Sequence, residues 1–292
     1  MSFARELKEN QICLVHTYDV LKNEHAVVFE TNSILLEAPN WHKDGYLILN
    51  GNGKLWKLIP GGELELLPIT GLPDLNNDHV LAPDHKTIYM SAYEDWQIYK
   101  APVVGGVAEQ VSPGIPNYMY FLHGVSADET TLAYVNIDRS AENVFGSGRV
   151  HLLNLKTGED TALVSGDGPE DGSEYSVDGE WIYFNTEHFS PNAQIARARL
   201  DGSDFEQLTF DDRVNWFPHQ SLDGQYWVYL SYPPGTQGHP ADLPVELCLV
   251  EDENWGNPKR LNGFPGGQGT INVNSWRPQS PVFAYVSYPF AQ

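Results

Sequence analysis

Four histidines, His79, His123, His219 and His239, are the residues of this sequence best suited to chemistry. Neutral imidazoles combined with carboxylate or amide oxygens hold divalent cations, and manganese or zinc would be the metals expected of such a set. His219 and His239 lie too far apart for adjacent turns of one helix; their spacing suits a strand and the loop that overhangs it. Arg139, Glu174, His188, Trp216, Gln268 and Asn272 complete a candidate ligand-binding set, with Trp216 offering a flat face for stacking and the others charge or hydrogen bonds. Each histidine has an ordinary alternative use, a hydrogen bond to a backbone carbonyl inside a β protein. The stretch FPGGQGTINVNSW, residues 264–276, sets three glycines around Gln268 and Thr270, where backbone amides can approach a ligand. It is not a phosphate-binding loop, because no Gly-Lys-Ser/Thr follows. The acidic run SGDGPEDGSE, residues 165–174, lacks the spacing of an EF-hand and reads as a solvated turn.

The elements that must position these residues are short strands in a repeat. NWHKDGYLILN, LAPDHKTIYMS, VSADETTLAYV, YSVDGEWIYFN and QSLDGQYWVYL each hold a tight turn followed by an aromatic and β-branched run. The turn aspartates, Asp44, Asp84, Asp128, Asp178 and Asp223, are 40, 44, 50 and 45 positions apart. Two further strand-like pieces follow each of them. A drifting period of this size predicts an all-β fold, a β-propeller of four-stranded antiparallel blades. A sixth copy starts at NVNSWRPQSPVFAYVSY, residues 272–288. CLVHTYDV and EHAVVFETN near the N-terminus supply its outer strands, so that six blades close into a single domain over residues 1–292.

This arrangement predicts where the candidates sit. Five positions before each turn aspartate, on the strand lining the channel, stand His79, His123, Ser173 and Pro218; Asn274 occupies the corresponding place in the last repeat, and Glu174 and His219 come one position later. Loops joining second to third strands carry Arg139, Glu187, His188 and His239. These elements are expected to converge on a funnel roofed by the loop containing Gln268. That funnel would lie on the face opposite the aspartate turns, whose side chains are expected to cap local amides.

Composition narrows the partners. Seventeen Lys and Arg stand against 39 Asp and Glu, a formal net charge of -22, which repels nucleic acid and anionic membrane surfaces. The two cysteines, Cys13 and Cys248, form no metal or redox pair and are expected to be free thiols. With no signal-peptide core in its charged first residues, the chain is expected in the cytoplasm.

The run DGSDFEQLTFDDRVNWFPHQSLDGQYWVYLSY resembles the repeats of TolB-type propellers, which pair a DG turn with QLT and a second aspartate turn leading into an aromatic strand. The resemblance covers essentially the whole chain and implies a six-bladed propeller without the TolB N-terminal domain or signal peptide. Its expected role is that of a binding or scaffold protein, taking a small polar molecule or a protein at a histidine-containing pocket. The absence of a G-x-S-x-G elbow argues against a peptidase. The other expectation is a metal-assisted carbohydrate lyase, because the chain also resembles oligogalacturonate lyases, which place histidines and a glutamine around manganese. In such a reaction the metal would acidify a carbon beside a sugar carboxylate and a histidine would remove its proton.

Overall fold

The computed structural model describes residues 4–291. Those residues build six blades in a ring. Blade one comprises strands Glu37–Trp41, Leu47–Gly51, Lys54–Leu58 and Leu64–Leu66, paired in that order from the channel outward, and blades two, three and four repeat the antiparallel pattern from Leu75, Tyr118 and Glu170. Blade five runs Val214–Gln220, Tyr226–Tyr232, Ala241–Glu251 and Lys259–Arg260. Its third strand is longer than the repeat predicts, and its first half pairs with an additional strand, Phe264–Gly267. This extension stands above the channel.

Blade six is closed by both ends of the chain. Val282–Ser287 pairs with Cys13–Asp19, in register from Leu14 opposite Ser287 to Asp19 opposite Val282, and Cys13–Asp19 pairs outward with Glu24–Thr31. The innermost position is held by an irregular run rather than a full strand. Trp276 bridges to Phe283, and the amides of Ala284 and Val286 donate to the carbonyls of Ser275 and Thr270. The turn at residues 267–272 diverts the backbone: Gly267 and Gly269 take φ of 113° and 88°, the Gly267 amide donates to Thr270 Oγ1, and that of Gly269 donates to Asn272 Oδ1. The glycine-rich stretch therefore uses these amides on itself, and it is the side chains of Gln268 and Asn272 that it presents.

The aspartate turns behave as expected from sequence. Asp84, Asp128, Asp178 and Asp223 each accept from the amide two residues on. In the last three, a serine two residues earlier donates to the aspartate and accepts from the amide that opens the second strand. Asp44 is the exception, lying beside the His42 ring. Apolar clusters fill the spaces between sheets. One joins Trp216, Tyr226 and Leu247 of blade five to Tyr18, Phe283 and Tyr285 of blade six; another joins Val15 and Val286 to Leu36 and Leu49 of blade one. Burial of such large side chains is worth about 1.5–3 kcal/mol each, so ring closure is driven mainly by these faces.

The channel-lining strands share one irregularity that matters for function. The register with the second strand slips between Glu37 and Asn40, Leu75 and His79, Leu122 and Gly124, Asp171 and Glu174, and Trp216 and His219. Ala38, Gly172 and Phe217, each six positions before its turn aspartate, sit at φ of 53°, 66° and 57°. A bulge of this kind re-aims the side chains around it.

Candidate functional site

The bulges decide which side chains reach the channel. On the face opposite the aspartate turns lies a cavity of about 490 Å³. Of the candidates, His123, Trp216, His239, Gln268 and Asn272 line it. Asp78, within the bulge of blade two, and Asp171, at the start of that of blade four, join them there.

His123 is the centre of this set. It is 4 % exposed, its Nε2 donates to Asp171 Oδ1 at 3.0 Å, and its Nδ1 donates to the carbonyl of Asn272 at 3.3 Å. Both ring nitrogens face acceptors, so the doubly protonated ring is the form that satisfies both. Burial opposes that charge, but Asp78 and Asp171 together outweigh it and carry the His123 pKa up to about 9. Asp171 is half-buried, and although its burial works the other way, its contacts with His123, the more distant His239 and the Gly172 amide hold its pKa below the usual value. Asp78 lacks so direct a contact, and burial pushes it up to about 7. His239 bridges outward: Nδ1 donates to Gln268 Oε1, Nε2 stands 3.7 Å from Asp171, and the ring lies 4.4 Å from the Trp216 ring centre. Gln268 Nε2 donates to Asn77 Oδ1 at 3.2 Å, and Asn77 Nδ2 donates to Glu37, which accepts from Arg5 at 2.7 Å. A continuous polar chain thus runs from the N-terminal segment to the cavity.

The pH dependence of stability follows from His123. A histidine raised above its unfolded value of 6.5 contributes stability that is fully present below that pH and lost as pH rises through about 9. Asp78, raised in the same sense, adds a decline that is complete by about pH 7. Urea unfolding should therefore give a free energy that falls between pH 6.5 and 9, and His123→Asn should flatten the curve in that window. A flat profile in the unsubstituted protein would mean that His123 is held neutral.

The remaining candidates are elsewhere. His79 is fully buried between blades one and two, where Nε2 donates to the Ile48 carbonyl at 3.5 Å, Nδ1 is unpaired, and burial lowers its pKa to about 4. His219 is tied to Glu174 Oε2 at 2.6 Å and to the Ile271 carbonyl, so it cross-links three blades. Glu174 also accepts from the Gln220 amide and from Asn274 Nδ2, and it faces a second cavity, of about 300 Å³, at the opposite mouth of the channel. Arg139 is exposed on the loop of blade three, and His188 is exposed on blade four, bonded to the Asp167 carbonyl and packed on Phe189 and Phe205.

The expected metal centre of His79, His123, His219 and His239 is therefore not assembled. Among the described residues no three of His, Cys, Asp and Glu are placed to hold an ion together. The physical reason is the bulge, which turns His79 and His219 between blades while His123 is committed to Asp171. The acidic run 165–174 also departs from expectation. Its second half is the channel-lining strand Glu170–Tyr175, so it supplies Glu170, Asp171 and Glu174 to the interior instead of a solvated turn. The signal that would have found Asp78 and Asp171 is their place six and seven positions before a turn aspartate, but only once the bulge is known.

Comparison with known proteins agrees with this architecture. No family model matches the chain. An uncharacterized protein of Agrobacterium fabrum is 36 % identical over 280 residues, covering 94 % of this chain and 92 % of its own. A solved structure from Agrobacterium tumefaciens, provisionally named TolB, is 33 % identical and superposes with a TM-score of 0.87 over 96 % of this chain and 99 % of its own. An oligogalacturonate lyase in complex with manganese shares the fold at 17 % identity and a TM-score of 0.57, over 89 % of this chain and 75 % of its own. On the level of identity and near-complete coverage it shares with the Agrobacterium proteins, this chain belongs to the TolB-like family of six-bladed β-propellers.

Proposed function

We propose that this propeller is a binding protein whose upper cavity takes a small polar ligand. The observation that carries the reading is the convergence of His123, Asp171, His239, Gln268 and Asn272, from four blades and their loops, on one cavity walled by Trp96, Phe121 and Trp216. A mostly apolar cleft with a few oriented polar groups is the usual form of a small-molecule site. A lyase acting on a polyanionic sugar fits less well, because among the described residues no Lys or Arg lines the cavity. Arg213 is engaged by Ser231 and Glu246, and Arg139 lies outside.

The net charge of -22 supports partners other than nucleic acid and anionic membranes. No helix of the described residues is long and apolar enough to cross a membrane. We place the protein in the cytoplasm; the support is that Cys13 and Cys248 are both free and buried, as thiols are in a reducing compartment. Cell fractionation tests this placement.

Binding is tested by calorimetry against a panel of polar metabolites. Trp216→Ala removes a wall and His239→Ala removes the bridge from Gln268 to Asp171, so each should weaken a bound compound by about tenfold or more. Retention of full affinity in both variants would move the site out of this cavity, with a protein partner on the rim as the reading that replaces it.

A further inference from the structure

The side of the cavity formed by blade four carries more negative charge than the protein neutralises. Glu170 opens the channel-lining strand, Glu187 follows the second strand with its amide donating to the carbonyl of Pro169, and both residues line the cavity. Glu170 is 5 % exposed, and its Oε2 accepts from the Val150 amide at 2.8 Å. Among the described residues its Oε1 takes no hydrogen bond, and the Glu187 carboxylate has no hydrogen-bond or salt-bridge partner. Arg149, whose charge acts on Glu170, makes its hydrogen bonds to the carbonyls of Gly146 and Gly148. Burial pushes Glu170 up to about 7 and Glu187 above its ordinary value. Neither carboxylate has an ion-pair partner, although the Arg149 charge partly opposes the rise at Glu170.

The neighbouring walls suit a positive group. Tyr93 and Trp96 meet edge to face at 5.5 Å, and Phe121 stands 5.8 Å from Trp96. Trp216, 7 % exposed, forms the opposite wall. Aromatic faces attract cations, most strongly where water is excluded, and carboxylates complete such sites. His123 is charged, but Asp171 and Asp78 already compensate it.

We propose that the ligand of this cavity is a small organic cation bearing an ammonium or guanidinium group, held by Glu170 and Glu187 with its apolar part against Trp96, Phe121 and Trp216. The proposal rests on the binding reading above and specifies its ligand class. Such a cation would supply the ion-pair partner that Glu170 and Glu187 lack. The acidic surface would raise its local concentration and speed its entry.

The test is calorimetric titration of the full chain with putrescine, agmatine and choline. 3,3-Dimethylbutanol serves as the uncharged isostere of choline, and galactose and galacturonate as neutral and anionic controls. At least one cation is expected to bind while the isostere does not, and Glu170→Gln combined with Glu187→Gln is expected to weaken it by about tenfold or more. Glutamine at 170 keeps an oxygen for the Val150 amide, so an unchanged melting temperature identifies the loss as one of charge. Binding of galactose or galacturonate that His239→Ala abolishes and the double glutamine variant retains would overturn the cation while leaving the binding cavity in place. Failure of all three cations to bind would likewise overturn it, and silence from the whole panel and the broader polar metabolites would count against both readings.

Discussion

A variant lacking residues 1–32 is expected to lose its cooperative unfolding transition and to be recovered mainly in aggregates. The deletion removes Cys13–Asp19 and Glu24–Thr31, leaving Val282–Ser287 with its outer edge unpaired. It also removes Val15 and Tyr18, both fully buried, from the clusters that join blade six to blades one and five. Exposed strand edges recruit other chains, and a ring opened at one blade loses the constraint that holds the rest together. Size-exclusion chromatography and thermal melting test this directly. A truncated monomer with the melting temperature of the full chain would show that the ring does not need its N-terminal strands.

Arg5→Ala is expected to cost about 3 kcal/mol in urea unfolding, the lower end of the range for breaking a buried ion pair, because Arg5 keeps some solvent contact. Glu37 is 6 % exposed and accepts from Arg5 Nη1 at 2.7 Å and from Asn77. Burial raises the Glu37 pKa and the guanidinium beside it opposes the rise, so without Arg5 the carboxylate is left buried with no cation. Adding Glu37→Gln to Arg5→Ala should recover part of the loss, because the amide oxygen still accepts from Asn77 and no charge is stranded. No recovery would assign the cost to the other contacts of Arg5, its bond to the Gln268 carbonyl and its packing over Tyr288.

The fold was readable because its punctuation is chemical. A turn aspartate and an aromatic or β-branched run recur in the first five repeats, with a serine two residues before the aspartate in three of them, since that turn must satisfy its amides before the second strand can begin. Closure was readable for a related reason: the last repeat and the N-terminal pair each lacked the strands that the other supplied. The site was only half readable. Side-chain alternation along a strand gives the inward face, and five positions before the turn aspartate correctly picks His123. The slips differ between blades: blade two inserts two residues and blades four and five one each, which brings Asp78, Asp171 and Phe217 inward and turns His79 and His219 between blades, whereas in blade three the extra residue is His123 itself. Nothing local marks those bulges, as Ala38 and Phe217 adopt positive φ without being glycine. Glu170 and Asp171 were obscured by glycines and acidic neighbours that resemble a loop.

Pairing the two ends of the chain also imposes an order on synthesis and folding. His16 and Ser287, joined by a hydrogen bond of 2.8 Å, are 271 residues apart. Bringing such distant segments together costs on the order of 5 kcal/mol of chain entropy, whereas each of blades one to five closes through short local connections. The hairpin Cys13–Thr31 leaves the ribosome before the five blades and waits for its partner strand while they are made. During that interval it is an isolated hairpin of marginal stability, and the nascent chain is a curved stack with two open ends. The carbonyl of Asn272, which His123 needs, arrives only with the closing blade. Binding competence is therefore acquired in a single late step, and a chain halted before that step presents sticky edges to the cell without a working site.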